Sequence, residues 1–430
     1  MKYKRKITFI LCFVGICLIN LYASEPIILE YSDALIGEQD SVTNVRRLAG
    51  NVRLRQGNVR ITCDNAIQYI GLNKYDLIGN VVIKQNTITL KSPTIHYDGN
   101  TYIATAKNGV KITDKETQLT AEYGTYSTQT LIANFAGNVV VEDDSTIIYS
   151  DFVTHNRNNR VSNAWGNVLI IGKYTNAKLA GDSVVNVPMQ NLSEVYGNPK
   201  LLQIDSSGAD SRDTLFISAN KMEAIREADN ERYLARGNVE VIRNNLQARA
   251  ENTIYYKAKD IIFLEEFPIL WYDSTQLFAD TIIVQLENNK LRRIDAVSSA
   301  FSVSQNDTMN AARKDQMSGK IITIEFESDS LRQIVAEGNA RSLYFIETDG
   351  QPDGLISVSA DAITIEIVDK KAENIIMINN VPGEYLPQPL IVDEETKYYL
   401  PGFRFSQDRP QRIDYSIFEV NTRNKRKEEK

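Results

Sequence analysis

The stretch Gly50-Asn51-Val52-Arg53-Leu54 decides how this chain is read, because it returns as Gly79-Asn80-Val81-Val82-Ile83. It returns again as Gly137-Asn138-Val139-Val140-Val141, Gly166-Asn167-Val168-Leu169-Ile170 and Gly237-Asn238-Val239-Glu240-Val241. Asn108-Gly109-Val110-Lys111-Ile112 is an inverted copy in the same register, and Gly197-Asn198 and Gly338-Asn339 carry the pair alone. From Gly50 to Gly197 the step is nearly constant at about 29 residues, and self-similarity at a fixed step of this size marks a repeat architecture. Gly and Asn adopt positive φ at low cost, so each pair predicts a corner. The alternation that follows predicts a half-buried strand.

A second element lies between these pairs: an apolar residue, a small residue followed by an acid, then apolar residues again. Leu119-Thr120-Ala121-Glu122-Tyr123-Gly124-Thr125-Tyr126 shows it. Asp64, Asp151, Asp280 and Asp361 stand in equivalent places. Before the acid the apolar set falls on odd positions (Leu119, Ala121); after it, on even ones (Gly124, Tyr126). A one-residue slip turns side chains to the other face unless the strand bends, so a second corner is expected there. The acids recur once per repeat and are read as structural rather than catalytic. Cys63 falls in a small-residue slot and is read as a packed thiol.

The apolar face is made of Val52, Leu54, Val81, Ile83, Val110, Ile112, Val139, Val141, Val168, Ile170, Val239 and Val241, with Arg53, Lys111 and Glu240 opposite. Such faces are buried only by stacking neighbours. Periodicity does not decide between a dry core and a groove.

The chain has 430 residues, long enough for two or three domains. Residues 1–24 combine Lys2, Lys4, Arg5 and Lys6 with the apolar run 7–21 and small residues at Ala23 and Ser24, the pattern of a signal peptide. Whether the leader is cleaved or retained stays open. A soft seam near Pro188–Pro199 divides a first module, 25–190, from a second, loop-decorated one, 191–402. Additions at Ser206–Asp213, Asn306–Gln316 and Thr348–Gly354 read as loops on one face. Residues 403–430 form a tail, aperiodic and expected to be solvated from about Gln407.

Without the leader, 44 basic residues face 55 acidic ones, a poor balance for binding nucleic acid. Only His96 and His155 are present, and no metal-ligand spacing, Walker or dinucleotide motif occurs. No enzyme activity, cofactor or metal is therefore expected.

The leader, the Gly-Asn-Val corners and the small-acidic corners together resemble the OstA-like family, which includes the periplasmic lipopolysaccharide-transport protein LptA and the N-terminal domain of LptD. The resemblance covers about residues 25–400 and is strongest from Leu48 to Ile171. It implies an all-β fold, a twisted V-shaped β-jellyroll of two antiparallel sheets, here an extended stack of ~29-residue repeats. It implies a periplasmic carrier, with lipopolysaccharide acyl chains between the sheets along the twelve apolar residues above. It also implies edge-strand pairing with inner-membrane LptC-like and outer-membrane LptD-like proteins, or head-to-tail with itself. By the same analogy the edge near Val42–Leu54 would face the inner membrane. The chain departs from the family in being about twice the length of a minimal carrier, and in lacking the strands of a membrane barrel. Two rivals remain: a right-handed β-helix acting on polysaccharide, and a passive scaffold or adhesin. Parallel pairing would favour both rivals.

Overall fold

The computed structural model describes residues 25–39, 44–174, 176–205, 213–227, 230–287, 290–305, 307, 309–327, 330–348, 350–368, 371–410 and 415–419. The expected leader, Val42 and the end of the tail lie outside these residues.

Strands dominate, and every pairing among the described residues is antiparallel. The polysaccharide-acting parallel β-helix is thereby set aside. Asn44–Gln56 pairs with Val59–Tyr69, which pairs with Lys74–Gln85, which pairs with Ile88–Asp98, in a meander of long strands. Each strand is creased in its middle. Opposite Asp64, the register of Asn44–Gln56 slips between Ala49 and Val52, leaving Gly50 and Asn51 as the extra residues of a bulge. Gly50 has φ 74° and Asn51 has φ 48°.

The two predicted corner types occupy one line. They sit on neighbouring strands and meet along a single spine. Asn51 Nδ2 donates to Asp33 Oδ2 (2.9 Å), Asn80 to Asp64 (2.9 Å), Asn138 to Glu122 and Asn167 to Asp151 (2.8 Å). The backbone N–H of the acid also bonds the glycine carbonyl, as in Asp33 to Gly50 (2.9 Å) and Glu122 to Gly137 (3.0 Å). A Cβ on Gly79 would come within 2.4 Å of Asp64 Oδ2, so only glycine fits beside the acid. The acids expected to be structural are therefore held in spine contacts.

The crease divides the ladder into two facing arms. Residues 45–49, 65–69, 74–78 and 94–98 belong to the first arm; 52–56, 59–63, 81–85 and 88–92 belong to the second. The two expected sheets are these arms, continuous through the spine because the strands run through it. One apolar cluster extends between the arms from Ile27 to Ile363. Near the expected seam the ladder is unbroken: Ala177–Val187 pairs with both Leu192–Tyr196 and Lys200–Asp205.

Among the described residues, positive-φ pairs mark the spine at eleven places. Three lack the Gly-Asn signature: Glu266-Phe267, Ser298-Ser299 and Asn379-Asn380. Of the expected loops, residues 206–212, 306 and 308 lie outside the described residues, and 309–314 lies between the second-arm ends of Lys290–Ser304 and Asp315–Glu327. Thr348–Gly354 is mostly strand, since Ser330–Thr348 and Gln351–Val368 simply run longer than their neighbours.

The chain end is not a solvated tail from Gln407. Residues 388–410 and 415–419 run back as a strap across the outer face of the second arm. Ile391 and Leu400 pack with Phe278, Phe301, Leu343 and Phe345, and Phe418 packs with Leu169, Leu202 and Phe216. Gln276 clamps the strap backbone twice, donating to Ser406 O (2.8 Å) and accepting from Ser406 N (2.9 Å). Leu400 N donates to Gln316 Oε1 (2.9 Å), and Lys178 Nζ reaches Phe418 O (3.2 Å).

Candidate functional site

The interior between the arms is the candidate site, and all twelve residues of the predicted apolar face point into it. Val52, Leu54, Val81, Ile83, Val110, Val139, Val168, Val239 and Val241 are buried. Ile112, Val141 and Ile170 are partly buried against the same cluster. The interior therefore differs along its length.

Over the first rungs it is closed. Leu54, Ile61, Val81 and Ile83 are each about 1% exposed or less. The mouth opposite the spine is latched by polar side chains from the tips of the two arms. Tyr97, on the first arm, donates its hydroxyl to Gln56 on the second, and Gln56 Nε2 donates to Gly99 O (2.9 Å). The next rung repeats the pattern: Tyr126 donates to Gln85 Oε1 (2.8 Å), and Gln85 Nε2 donates to Thr128 O (3.0 Å). These hydroxyls and amides are buried and satisfied, as an interior polar group must be. Burial raises the phenol of Tyr97 and pushes that of Tyr126 up to about 12.

The latch then changes chemistry. The next copies of Gln85 and Tyr126 are Asp114 and His155. Asp114 pairs with Arg157 (3.4 Å), and His155 Nδ1 hydrogen-bonds Ser162 Oγ (2.9 Å). Burial lowers the His155 pKa, with Asp114 opposing. One repeat further, Asp143 caps its own turn through Ser145 N and Thr146 N (both 2.8 Å), and Asn186 stands where the tyrosine was. Beyond this point Ile148, Ile170, Leu179, Leu201, Leu215, Leu246, Ile262 and Leu286 are only partly buried. Missing from the sequence reading were these latches and the second-arm and first-arm residues of the later rungs. The return of Gln56 and Tyr97 as Gln85 and Tyr126, one repeat on, was the available signal.

The other candidates resolve locally. His96 Nδ1 meets Asp76 Oδ1 at 2.7 Å on the surface. Cys63 is buried, and burial pushes its thiol up to about 11. Among the described residues no group of three His, Cys, Asp or Glu side chains could hold a metal ion.

Residues 24–117 and 102–151 match the family described as OstA-like protein. The matched residues lie in the N-terminal third of this chain. The matched residues hold the latched rungs and also Ile112, Val141 and Ile148, which are only partly buried. Among solved structures the chain is similar to LptH of Pseudomonas aeruginosa, described as the LptA homologous periplasmic component of the conserved lipopolysaccharide transport device. The likeness is 20% in identity, covers 26% of this chain and 83% of that one, and has a TM-score of 0.24. No curated protein matches. The resemblance to the OstA-like family first drawn from the corners thus stands on the same stretch, where it was strongest.

Proposed function

We propose that this chain is a non-enzymatic lipopolysaccharide carrier of the cell envelope, holding acyl chains between its two arms. The observation that carries this is the single apolar interior running from Ile27 to Ile363, with a lining that becomes accessible from Ile112 onward. Burying each methylene contributes about 0.8 kcal/mol. Similar rungs offer similar affinity, so cargo can shift along the trough without meeting a deep trap. The OstA-like match agrees with such cargo.

The two ends of the ladder suit strand addition. Among the described residues Ala34–Gln39 pairs on one side only, and Leu35 and Ile36 are exposed. At the other end Lys371–Ile378 exposes Ile375, Ile376 and Ile378. These edges are proposed to meet LptC-like and LptD-like partners or another copy of the chain, with the N-terminal edge toward the inner membrane. Periplasmic residence belongs to the same proposal; no helix among the described residues is long and apolar enough to cross a membrane.

The test is photo-crosslinking in cells, with the reactive residue at Ile83, Ile170 or Leu246, and at Lys84 as the outward control. Lipopolysaccharide adducts at an interior position and none at Lys84 are expected. Adducts at none of the three would leave a passive scaffold.

A further inference from the structure

The outer face of the first arm carries a row of rings that the carrier reading does not use. Tyr123, Ala136, Phe152, Trp165, Ser183 and Tyr196 stand side by side on six neighbouring strands, just off the spine. Val153, Ala164, Val184 and Val195 beside them are buried inward, so the row points out. Its four aromatic side chains are 36–42% exposed. Phe152 and Trp165 are parallel within 14°, with centroids 5.6 Å apart. They overlap face to face, and the free face of each looks along the row, over Ala136 on one side and Ser183 on the other. Beyond these two short side chains stand Tyr123 and Tyr196. Lys221 Nζ closes the far side of Tyr196, 5.0 Å from the ring centroid. The row is thus a comb with two notches, each walled by rings and floored by a short side chain. Cross-strand stacking accounts for Phe152 with Trp165, but not for rings two strands away from that pair. On the same line Asn65, Ile78 and Thr94 come earlier and Arg236, Asn252 and Glu265 later, so the fold itself does not demand rings here. The strap lies on the other arm.

The shape and charge of the notches select a ligand. Their walls rise two strand spacings apart, about 9.6 Å. A flat ring between two others fills only about 7 Å, twice a carbon–carbon contact. A puckered saturated ring, with hydrogens on both faces, is thicker and fills more of the gap. Next to Ala136 the floor continues as Asn134, which donates to Thr125 Oγ1 (3.4 Å) and accepts from Thr154 Oγ1 (2.9 Å). These groups are uncharged, and each can both donate and accept. The nearest cation, Lys221, is neutralised by Glu194 (2.5 Å) and Glu223 (2.6 Å).

We infer that this comb binds a neutral glycan, with one pyranose ring between the aromatic walls of a notch. A pyranose has apolar C–H faces to lie against the rings and a rim of hydroxyls to meet the amide and hydroxyls beside them. The inference goes beyond the carrier reading and does not rest on it. Cargo held between the arms meets water at the mouth, opposite the spine, whereas the comb lies beside the spine on the outside. The glycan is therefore a separate polymer, on which the chain can be seated while its interior stays free.

The chain has two tryptophans, Trp165 on the comb and Trp271 buried at 2% exposure, so Trp165 reports what covers the row. The test titrates the purified full chain with chitohexaose and with cellohexaose, following tryptophan fluorescence with iodide as quencher, and measures affinity by calorimetry. At least one glycan is expected to bind saturably in the millimolar range or tighter and to shield Trp165 from iodide. Trp165→Ala is expected to weaken that binding at least tenfold. Phe152→Ala, which removes a wall, and Ala136→Leu, which fills a notch, are each expected to weaken it at least fivefold. Tyr174→Ala, which removes an exposed ring off the row, is expected to leave it unchanged. Binding of neither glycan overturns the inference, as does binding that survives all three comb variants or that falls equally in Tyr174→Ala. Self-association of the full chain that Phe152→Ala abolishes in sedimentation also overturns it, since the comb would then join two copies. If a variant does not fold, iodide shielding of Trp165 in the unaltered protein decides. The crosslinks at Ile83, Ile170 and Leu246 report on the interior, so either proposal can fail while the other stands.

Discussion

The rungs around Ile83 and those around Leu246 have the same spine and the same register, yet one stretch is closed and the other is not. Around Ile83 the arms are latched by Tyr97–Gln56 and Tyr126–Gln85, and the aliphatic side chains are shut away from water. Around Leu246 an arginine stands in the latch position and a cavity separates the arms. The outer faces differ as well. Arg53 and Lys84 look outward from the early second arm, whereas Leu169, Phe216 and Phe301 look outward from the later one and need the strap to cover them. A repeat can thus hold its geometry at the crease and change its function at the tips, because the crease is specified by backbone and the tips by a few side chains.

The largest contrast should come from equal truncations in the two stretches. Leu54→Ala is expected to cost about 2–5 kcal/mol, the range for a buried leucine, and Leu246→Ala less than half as much. Urea unfolding with local hydrogen exchange measures both, and equal costs would erase the distinction.

Tyr97→Phe should cost about 1–3 kcal/mol, since it leaves the Gln56 carbonyl buried without its donor. It should also raise lipid-probe labelling around Ile83. Unchanged labelling would mean that packing, not the latch, closes those rungs.

At the crease, Gly137→Ala forces an L-residue into φ 79° against the Glu122 side chain and should cost about 1–2 kcal/mol or more. A neutral outcome in a thermal melt would show that the spine tolerates a Cβ.

The latch also predicts a pH response. Tyr126 has a folded pKa of about 12 against an ordinary 10.0. The neutral phenol is favoured in the fold, so its contribution is complete below pH 10 and is lost as pH rises from 10 to 12. Melting temperature should fall across that window, less steeply in Tyr126→Phe; identical slopes would remove Tyr126 from the latch.

The smallest effect concerns Cys63. With its thiol pushed up to about 11, alkylation at this residue at pH 8 should be slow until the chain unfolds. Rapid labelling of the native protein would mean that the early rungs open.

Much of this was legible in residues. The crease could be read from Gly-Asn pairs and from the parity change around Glu122, because positive φ and strand alternation are local properties. The corners at Glu266-Phe267 and Ser298-Ser299 could not, since neither pair favours positive φ; there the flanking ladder imposes the conformation. The strap had a missed signal: Val168-Leu169-Ile170-Ile171 is apolar on both faces and so required a second cover. Gln56 and Gln85 looked like ordinary strand ends, because their partners are remote in the chain.

By itself, then, the sequence determined an all-β repeat, its spine and the inward face of its strands, all of which depend on residues within one turn or one strand. Whether that inward face is sealed or open, and that the chain end returns as a strap, was decided only by the tertiary structure. Those outcomes depend on contacts between residues from 41 to 240 positions apart, such as Tyr97 with Gln56 and Lys178 with Phe418, which no local pattern encodes.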